Sequence, residues 1–281
     1  MFSDEMLIRI AQDGDFITGD RIFDYSNSLE DVKYFKIDYL FKSGMWRGRK
    51  FSIYDKNDFC KKSVVIGHSD IKFGYKAWLV FKLLGVRNVI ALNMGVSKTR
   101  HYALPLGIPE WILGRQDEPI INNIIFETFN EVSSEQLNIY NIYSNFSYQT
   151  FPSVRLPLYK LIQKMPEVRR GNLDSSQTGK TKYLNEIRKS NMVLCPRGNG
   201  IDTFRFWETL YLGAVPVVVE EDLPKGILDF DFPLILLRNW DEITDARLIQ
   251  RKYEESKSIS HNIDNLSFSF LKNYINQIIV S

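Results

Sequence analysis

The stretch Leu194-Cys195-Pro196-Arg197-Gly198-Asn199-Gly200-Ile201-Asp202-Thr203-Phe204-Arg205-Phe206-Trp207-Glu208 constrains the fold more than any other part of this chain. It closes an apolar strand read from Met192 to Leu194, crosses a turn with two glycines, and opens a helix expected from Asp202 to Leu212. Glycine lets backbone approach a ligand closely, and a helix start offers unpaired N–H groups with partial positive charge. Arg197 and Arg205 flank that start, and a guanidinium fork matches phosphate oxygens. Glu208 follows one turn after Arg205, so both project from one helix face. An anion cradle with a carboxylate beside it suits a nucleoside diphosphate and its ribose hydroxyls. The spacing is neither the P-loop nor the dinucleotide-binding pattern. A second reading therefore stays open, a structural strand–turn–helix whose arginines pair with nearby carboxylates.

The rest of the chain alternates strand and helix signals in two halves. In the first, Phe16–Gly19 and Lys61–Gly67 read as strands, the second ending in Gly67-His68-Ser69-Asp70. Tyr75–Leu84 has helical periodicity and stops at Gly85, and Arg87–Asn93 reads as the next strand. Strand, helix and strand in that order imply a parallel sheet. Lys98–Pro119, with three prolines and two glycines, reads as an irregular connection. In the second half Asn138–Tyr148 is an expected strand and Val154–Met165 a helix with Pro157 in its first turn. Arg169–Thr181 reads as a mobile polar loop and Tyr183–Ser190 as a short helix. Ala214–Glu220 and Leu234–Leu237 are expected strands, followed by a polar helix from Asp245 and an amphipathic last helix. The division implied is 1–130, 131–264 and a terminal helix over 265–281 that crosses back onto the first domain.

The segment Leu194–Val219, LCPRGNGIDTFRFWETLYLGAVPVVV, resembles the signature of the exostosin-like glycosyltransferases. That signature is an apolar strand, Pro-Arg-Gly, a variable loop, Phe-Arg-Phe, a Glu two positions on, and a Gly-Ala/Cys-x-Pro-Val strand. Asn145-Phe146-Ser147 with Thr150 and Arg155 resembles a second segment of related enzymes, and Pro105-Leu106-Gly107-Ile108-Pro109 resembles their interdomain turn. The resemblance implies an α/β chain of GT-B type, with two Rossmann-like domains facing across a cleft. It implies an inverting, metal-independent transfer from a nucleotide sugar held by the C-terminal domain. The short length is closest to the compact xylosyltransferases of large DNA viruses, which makes UDP-xylose the first donor to consider and a glycan hydroxyl the acceptor.

Carried onto this sequence, Arg197 and Arg205 would neutralise the diphosphate, and the backbone from Gly198, Asn199 and Gly200 to Asp202, Thr203 and Phe204 would complete the cradle. Asp202 or Thr203 also reads as a plain helix cap. Glu208 would accept from the ribose, and Asn145, Ser147 and His101 would add donor contacts. Glu220 and Glu221 follow a strand and are candidates for donor-sugar hydroxyls. Direct displacement needs a base on the face opposite the leaving group. Its candidates end first-half strands, namely Asp70, then Asp20, then His68. Aspartates there are also common turn formers. No tight His/Cys cluster is visible, and Asp229-Phe230-Asp231 beside Glu220-Glu221-Asp222 reads as a solvated rim, so neither metal nor cofactor is expected. The competing functions are a non-catalytic nucleotide-sugar or glycan-binding module and a phosphate-ester enzyme, which would need a metal and an ATP-type loop.

Composition narrows the partners. A net charge of +2 over 281 residues gives no electrostatic reason to expect nucleic acid. Cys60 and Cys195 stand far apart and read as buried thiols of a reducing compartment. The start MFSDEMLIRIAQDGD shows no signal peptide, and no apolar run reaches membrane-spanning length. The expected location is cytoplasmic, the host cytoplasm for the viral type.

Overall fold

The computed structural model describes residues 2–36, 59–68, 70–113 and 124–281. Helices α1 (Asp4–Asp13) and α2 (Gly19–Asn27) precede β1 (Val32–Lys36), β2 (Ser63–Gly67), α3 (Tyr75–Leu83), β3 (Asn88–Ala91) and β4 (His101–Ala103). These strands form a parallel sheet in the order β1-β2-β3-β4. Every residue of β2 is buried because both sheet faces are covered, which is why it reads as an unbroken apolar run. Val64 and Ile66 pack on one face with Ala77 and Phe81 of α3, while Val65 packs on the other with Ile22 of α2.

The second unit comprises α4 (Ile124–Glu131), β5 (Tyr140–Ser144), α5 (Pro152–Ile162), β6 (Val168–Arg170), α6 (Gln177–Arg188) and β7 (Ser190–Leu194). It continues through α7 (Phe204–Tyr211), β8 (Val215–Val219), β9 (Ile235–Leu237), α8 (Ala246–Ser258) and α9 (Phe268–Val280). Its sheet is also parallel, in the order β6-β5-β7-β8-β9. The strand order reverses between β5 and β7, and such a switch point opens a crevice at the carboxyl ends of the two strands. The fold is the two-sheet α/β arrangement of GT-B type, with a cleft between the units.

The chain ends cross between units. Arg188 of α6 pairs with Asp4 of α1, which draws the first helix onto the second unit. Leu271, Ile275 and Ile278 of α9 pack with Ile17, Val65 and Ile90 of the first, and each such side chain contributes about 1.5–3 kcal/mol when fully buried. Tyr211 joins both ends, its hydroxyl accepting from the Ile17 N–H at 3.1 Å and donating to the Leu266 carbonyl at 2.5 Å.

Several elements differ from the sequence reading. Phe16–Gly19 is not a strand beyond a single bridge from Phe16 to Ser267, because the Thr18 side chain accepts from Arg21 N–H and starts α2. The loop expected over Arg169–Thr181 contains the end of β6 and the first turn of α6, capped by Ser176 through the Gly179 N–H at 3.1 Å. Pro157 lies inside α5, since Pro152 occupies the helix start; the carbonyl that loses its partner belongs to exposed Ser153. Cys60 is exposed, and only Cys195 is buried. Of the connection Lys98–Pro119, residues 114–119 lie outside the described residues.

Tyr211→Phe would leave a buried N–H and a buried carbonyl unpaired, a loss of about 1–3 kcal/mol. A lowered thermal midpoint with unchanged secondary structure by circular dichroism is the expected result.

Candidate active site

A cavity of about 800 Å³ lies between the two units at the carboxyl ends of β2, β3, β5 and β7. One wall is the turn after β7 and the start of α7, where Gly198, Asn199, Gly200, Thr203, Phe204 and Arg205 all line the space, with Asn145 beyond β5. Thr203 holds the α7 cap position, yet its side chain makes no capping bond. Asn145 is fixed by its amide, which donates to the Tyr143 hydroxyl and the Asn172 carbonyl, both at 3.1 Å.

The glycine turn is held from behind by Arg155 of α5. Its guanidinium donates to the carbonyls of Arg197 at 2.7 Å, Pro196 at 3.1 Å and Ser147 at 3.4 Å. Burial lowers its pKa to about 10, with the nearby Arg205 charge acting in the same direction. Gly200 faces the other unit so closely that a Cβ there would lie 2.7 Å from Asn93 Oδ1.

The two motif arginines part company. Arg197 does not line the cavity: it stacks over the Phe151 ring at 4.1 Å and approaches Asp222 at 3.8 Å. Its guanidinium also donates to the carbonyls of Gly198 at 3.3 Å and Asn199 at 3.1 Å in the glycine turn. Arg205 does line the cavity, makes no ion pair among the described residues, and has a buried Nε without a hydrogen-bond partner. Burial alone would lower its pKa, but Tyr183, Cys195 and Glu208 around it hold it above the ordinary value, so it remains cationic. Glu208 is only 4% exposed and accepts from the Tyr183 hydroxyl at 2.6 Å, so it does not form the intrahelical ion pair. Burial raises its pKa, partly offset by Tyr183 and Arg205.

Asp202 lines the cavity but turns its carboxylate inward. Oδ2 accepts from the Leu106 N–H at 2.9 Å and Oδ1 from the Trp207 indole at 2.8 Å, while its own N–H donates to Asn93 Oδ1 at 2.8 Å. It therefore ties the two units together, and neither oxygen is left over for a donor. Ser147 accepts from Gln149 N–H and lies off the cavity, and His101 stands by Thr99 on another face of the first unit, next to Trp78. Glu220 and Glu221 also lie off the cavity; Glu221 and Asp222 border a separate groove beside Trp240.

The opposite wall holds the acceptor-side candidates. His68 and Asp70 line the cavity, and Asp20 stands at its edge beside Gly19, His68 and Glu110, which do line it. His68 adopts a left-handed backbone (φ 46°), which places Nδ1 2.6 Å from the Tyr34 hydroxyl and Nε2 3.4 Å from Asp20 Oδ1. Burial, with Asp20 and Glu110 nearby, raises the Tyr34 pKa, so the phenol keeps its proton. Glu110 Oε1 accepts from the Asp20 N–H at 3.1 Å. Gly19 packs closely here, since a Cβ would come within 2.7 Å of His68 Nε2. Asp20, His68 and Glu110 bring ligand-type atoms within 4.8 Å of one another, a grouping with cation-binding chemistry that the sequence did not reveal. Tyr34, Glu110, Tyr183 and Lys180 escaped sequence reasoning because each joins the site only through tertiary packing. Arg155 had a signal, as part of the second resembling segment.

Residues 139–268, just under half of the chain, match the family model described as the RXYLT1 C-terminal domain. Two solved structures are similar over most of the chain. A crystal structure of α1,3-fucosyltransferase with GDP-fucose shares 13% identity, covers 80% of each chain and gives a TM-score of 0.41. A crystal structure of α1,3-fucosyltransferase shares 11% identity, covers 100% of this chain and 88% of that one, and gives a TM-score of 0.43. Comparison with curated proteins gave no match.

Burial moves the Asp202 carboxyl up to about 7, against the hydrogen bonds from Trp207 and Leu106. A folded-state value above the unfolded one means the folded chain binds the proton more tightly. The associated stability is present in full below the ordinary carboxylate range of about 4 and is lost as pH rises to about 7. Asp202→Asn removes this titration, so the thermal midpoint of the variant should change less than that of the wild type across that window.

Proposed function

We propose that the protein is an inverting, metal-independent glycosyltransferase that moves a sugar from a UDP-sugar, xylose first among candidates, to a hydroxyl of an oligosaccharide or glycan. The observation that carries this reading is Arg205, a cation without an ion pair at the wall of the cleft, next to an α7 start whose Thr203 side chain makes no capping bond. A desolvated cation is costly unless a counter-charge arrives, and a diphosphate supplies one. Arg205 and the N–H groups near Gly198–Thr203 would hold the leaving diphosphate, acting in place of a metal ion. Glu208, kept in place by Tyr183, would accept from the ribose.

On the facing wall the Tyr34 hydroxyl and His68 Nδ1 share a hydrogen bond; with the phenol as donor, the imidazole proton would lie on Nε2 toward Asp20. Asp20 would then take the acceptor proton while His68 orients it, with Asp70 the second candidate on the same wall. The unpaired cysteines support a reducing, cytoplasmic location.

Calorimetric titration with UDP and UDP-xylose, each with and without EDTA, tests the donor half. Binding that survives EDTA is expected, and Arg205→Ala should weaken it by roughly a hundredfold while leaving the fold intact. Near-wild-type affinity in that variant would remove the cradle assignment. For the acceptor half, Asp20→Asn should abolish transfer while UDP affinity is retained; turnover unchanged in both Asp20→Asn and Asp70→Asn would remove the base assignment, and UDP binding by the wild type with no transfer to any acceptor would indicate a binding module.

A further inference from the structure

Between Ile71 and Pro109 the chain carries Lys72, Lys76, Lys82, Arg87, Lys98 and Arg100 and no Asp or Glu, although the whole chain is only +2. This charge is therefore a local concentration on the first unit, and the rest of the chain is net acidic. The α3 helix sits at its centre. Its buried face is Ala77 and Phe81, while Tyr75, Leu79 and Leu83 are 60%, 43% and 68% exposed. Their four-residue spacing places the three in one stripe along the outer face of the helix. Lys76 and Lys82 flank that stripe. Lys82 and Lys98 both reach the Trp78 ring, with their ammonium groups 4.9 and 5.5 Å from its centroid.

Beside the stripe, Trp78, Lys82, Arg87, Lys98 and Arg100 line a cavity of about 330 Å³ that no carboxylate enters. None of Lys76, Lys82, Lys98 and Arg100 forms an ion pair among the described residues. Cations that bind only a soluble polyanion have no use for exposed leucines. A helix with an apolar stripe, amphipathic aromatics and a lysine border instead matches the anionic face of a lipid bilayer, where side chains enter the acyl boundary and cations meet headgroups. No helix among the described residues is long and apolar enough to cross a membrane, so the contact would lie in the interface plane.

We infer that the outer face of α3, with Lys98 and Arg100, is a docking surface for an anionic lipid membrane. It lies away from the cleft, so a bilayer held there leaves the candidate active site open. The test is co-sedimentation of the full chain with phosphatidylcholine vesicles, with and without phosphatidylserine, across a salt series. The expected result is partition onto the phosphatidylserine vesicles alone, weakening as salt rises. Lys82→Gln/Arg100→Gln should reduce the partition by roughly tenfold or more. Leu79→Gln/Leu83→Gln should also reduce it, and both pairs replace exposed side chains, so their circular dichroism melts should match the wild type. Equal binding to both vesicle types, or none to either, overturns the proposal. So does vesicle binding that survives the leucine pair with heparin binding equally tight, which would make the patch a polyanion surface. Because α3 takes no part in the donor cradle, either outcome leaves the UDP titration to be judged separately.

Discussion

The relation between the two sheets depends on the buried carboxylate of Asp202. It sits between the glycine turn and the helix that follows, yet its bonds run outward to Leu106 of the connecting segment and sideways to Trp207, while its N–H is held by Asn93 beyond β3. A carboxylate in a desolvated place is tolerated when each oxygen is engaged, and removal of any partner leaves an uncompensated polar group. The turn that lines the cleft is thus fixed to the opposite unit at the point where backbone would otherwise be free to shift. Gly200 is part of the same constraint, because its missing side chain is what lets Asn93 approach.

A second tie lies at the base of the molecule. With α1 drawn onto the second unit by Asp4 and Arg188, α9 packed on the first, and Tyr211 bonded to both Ile17 and Leu266, the units share core rather than merely touch. Opening the cleft as a rigid hinge would break buried hydrogen bonds at both places. Ligand access therefore falls to the rim, where Leu173, Asp174 and Lys180 reach the cavity from the segment between β6 and α6.

The parts of this fold that could be read in advance share one physical property. β2, β3, β7 and β8 are covered on both faces, so their sequences are unbroken apolar runs, and the helices after β2 and β7 carry an evident buried stripe. β4 and β6 are three-residue edge strands, too short to show a period, and α1 and α2 were hidden by their charged faces. The site divides the same way. Gly198, Gly200, Arg205 and Glu208 lie on one turn and one helix, so local spacing carries their geometry. Arg197 meets Asp222 from beyond β8, and Asp202 meets Leu106 and Asn93; no local pattern encodes these partners. Tyr34 and Glu110 reach His68 and Asp20 from separate elements, and only the assembled sheet makes them neighbours.

Charge is arranged with opposite sign on the two walls. The donor-side wall carries Arg205, with Arg155 beside it and Lys180 and Asp174 at the rim, and the carboxylates of Asp202 and Glu208 are engaged by hydrogen bonds from Trp207 and Tyr183. The facing wall presents Asp20 and Glu110 grouped around His68, with Asp70 also lining the cavity. In the direct displacement proposed above, negative charge would grow on the departing diphosphate while a proton would leave the attacking hydroxyl in the other direction. A field fixed beforehand along that axis stabilises both movements without reorganisation during the reaction. On the same turn Arg197 approaches Asp222 at 3.8 Å and donates to the Gly198 and Asn199 carbonyls, whereas Arg205 has no ion pair among the described residues and a buried Nε without a partner, an asymmetry that the proposed diphosphate contact accounts for.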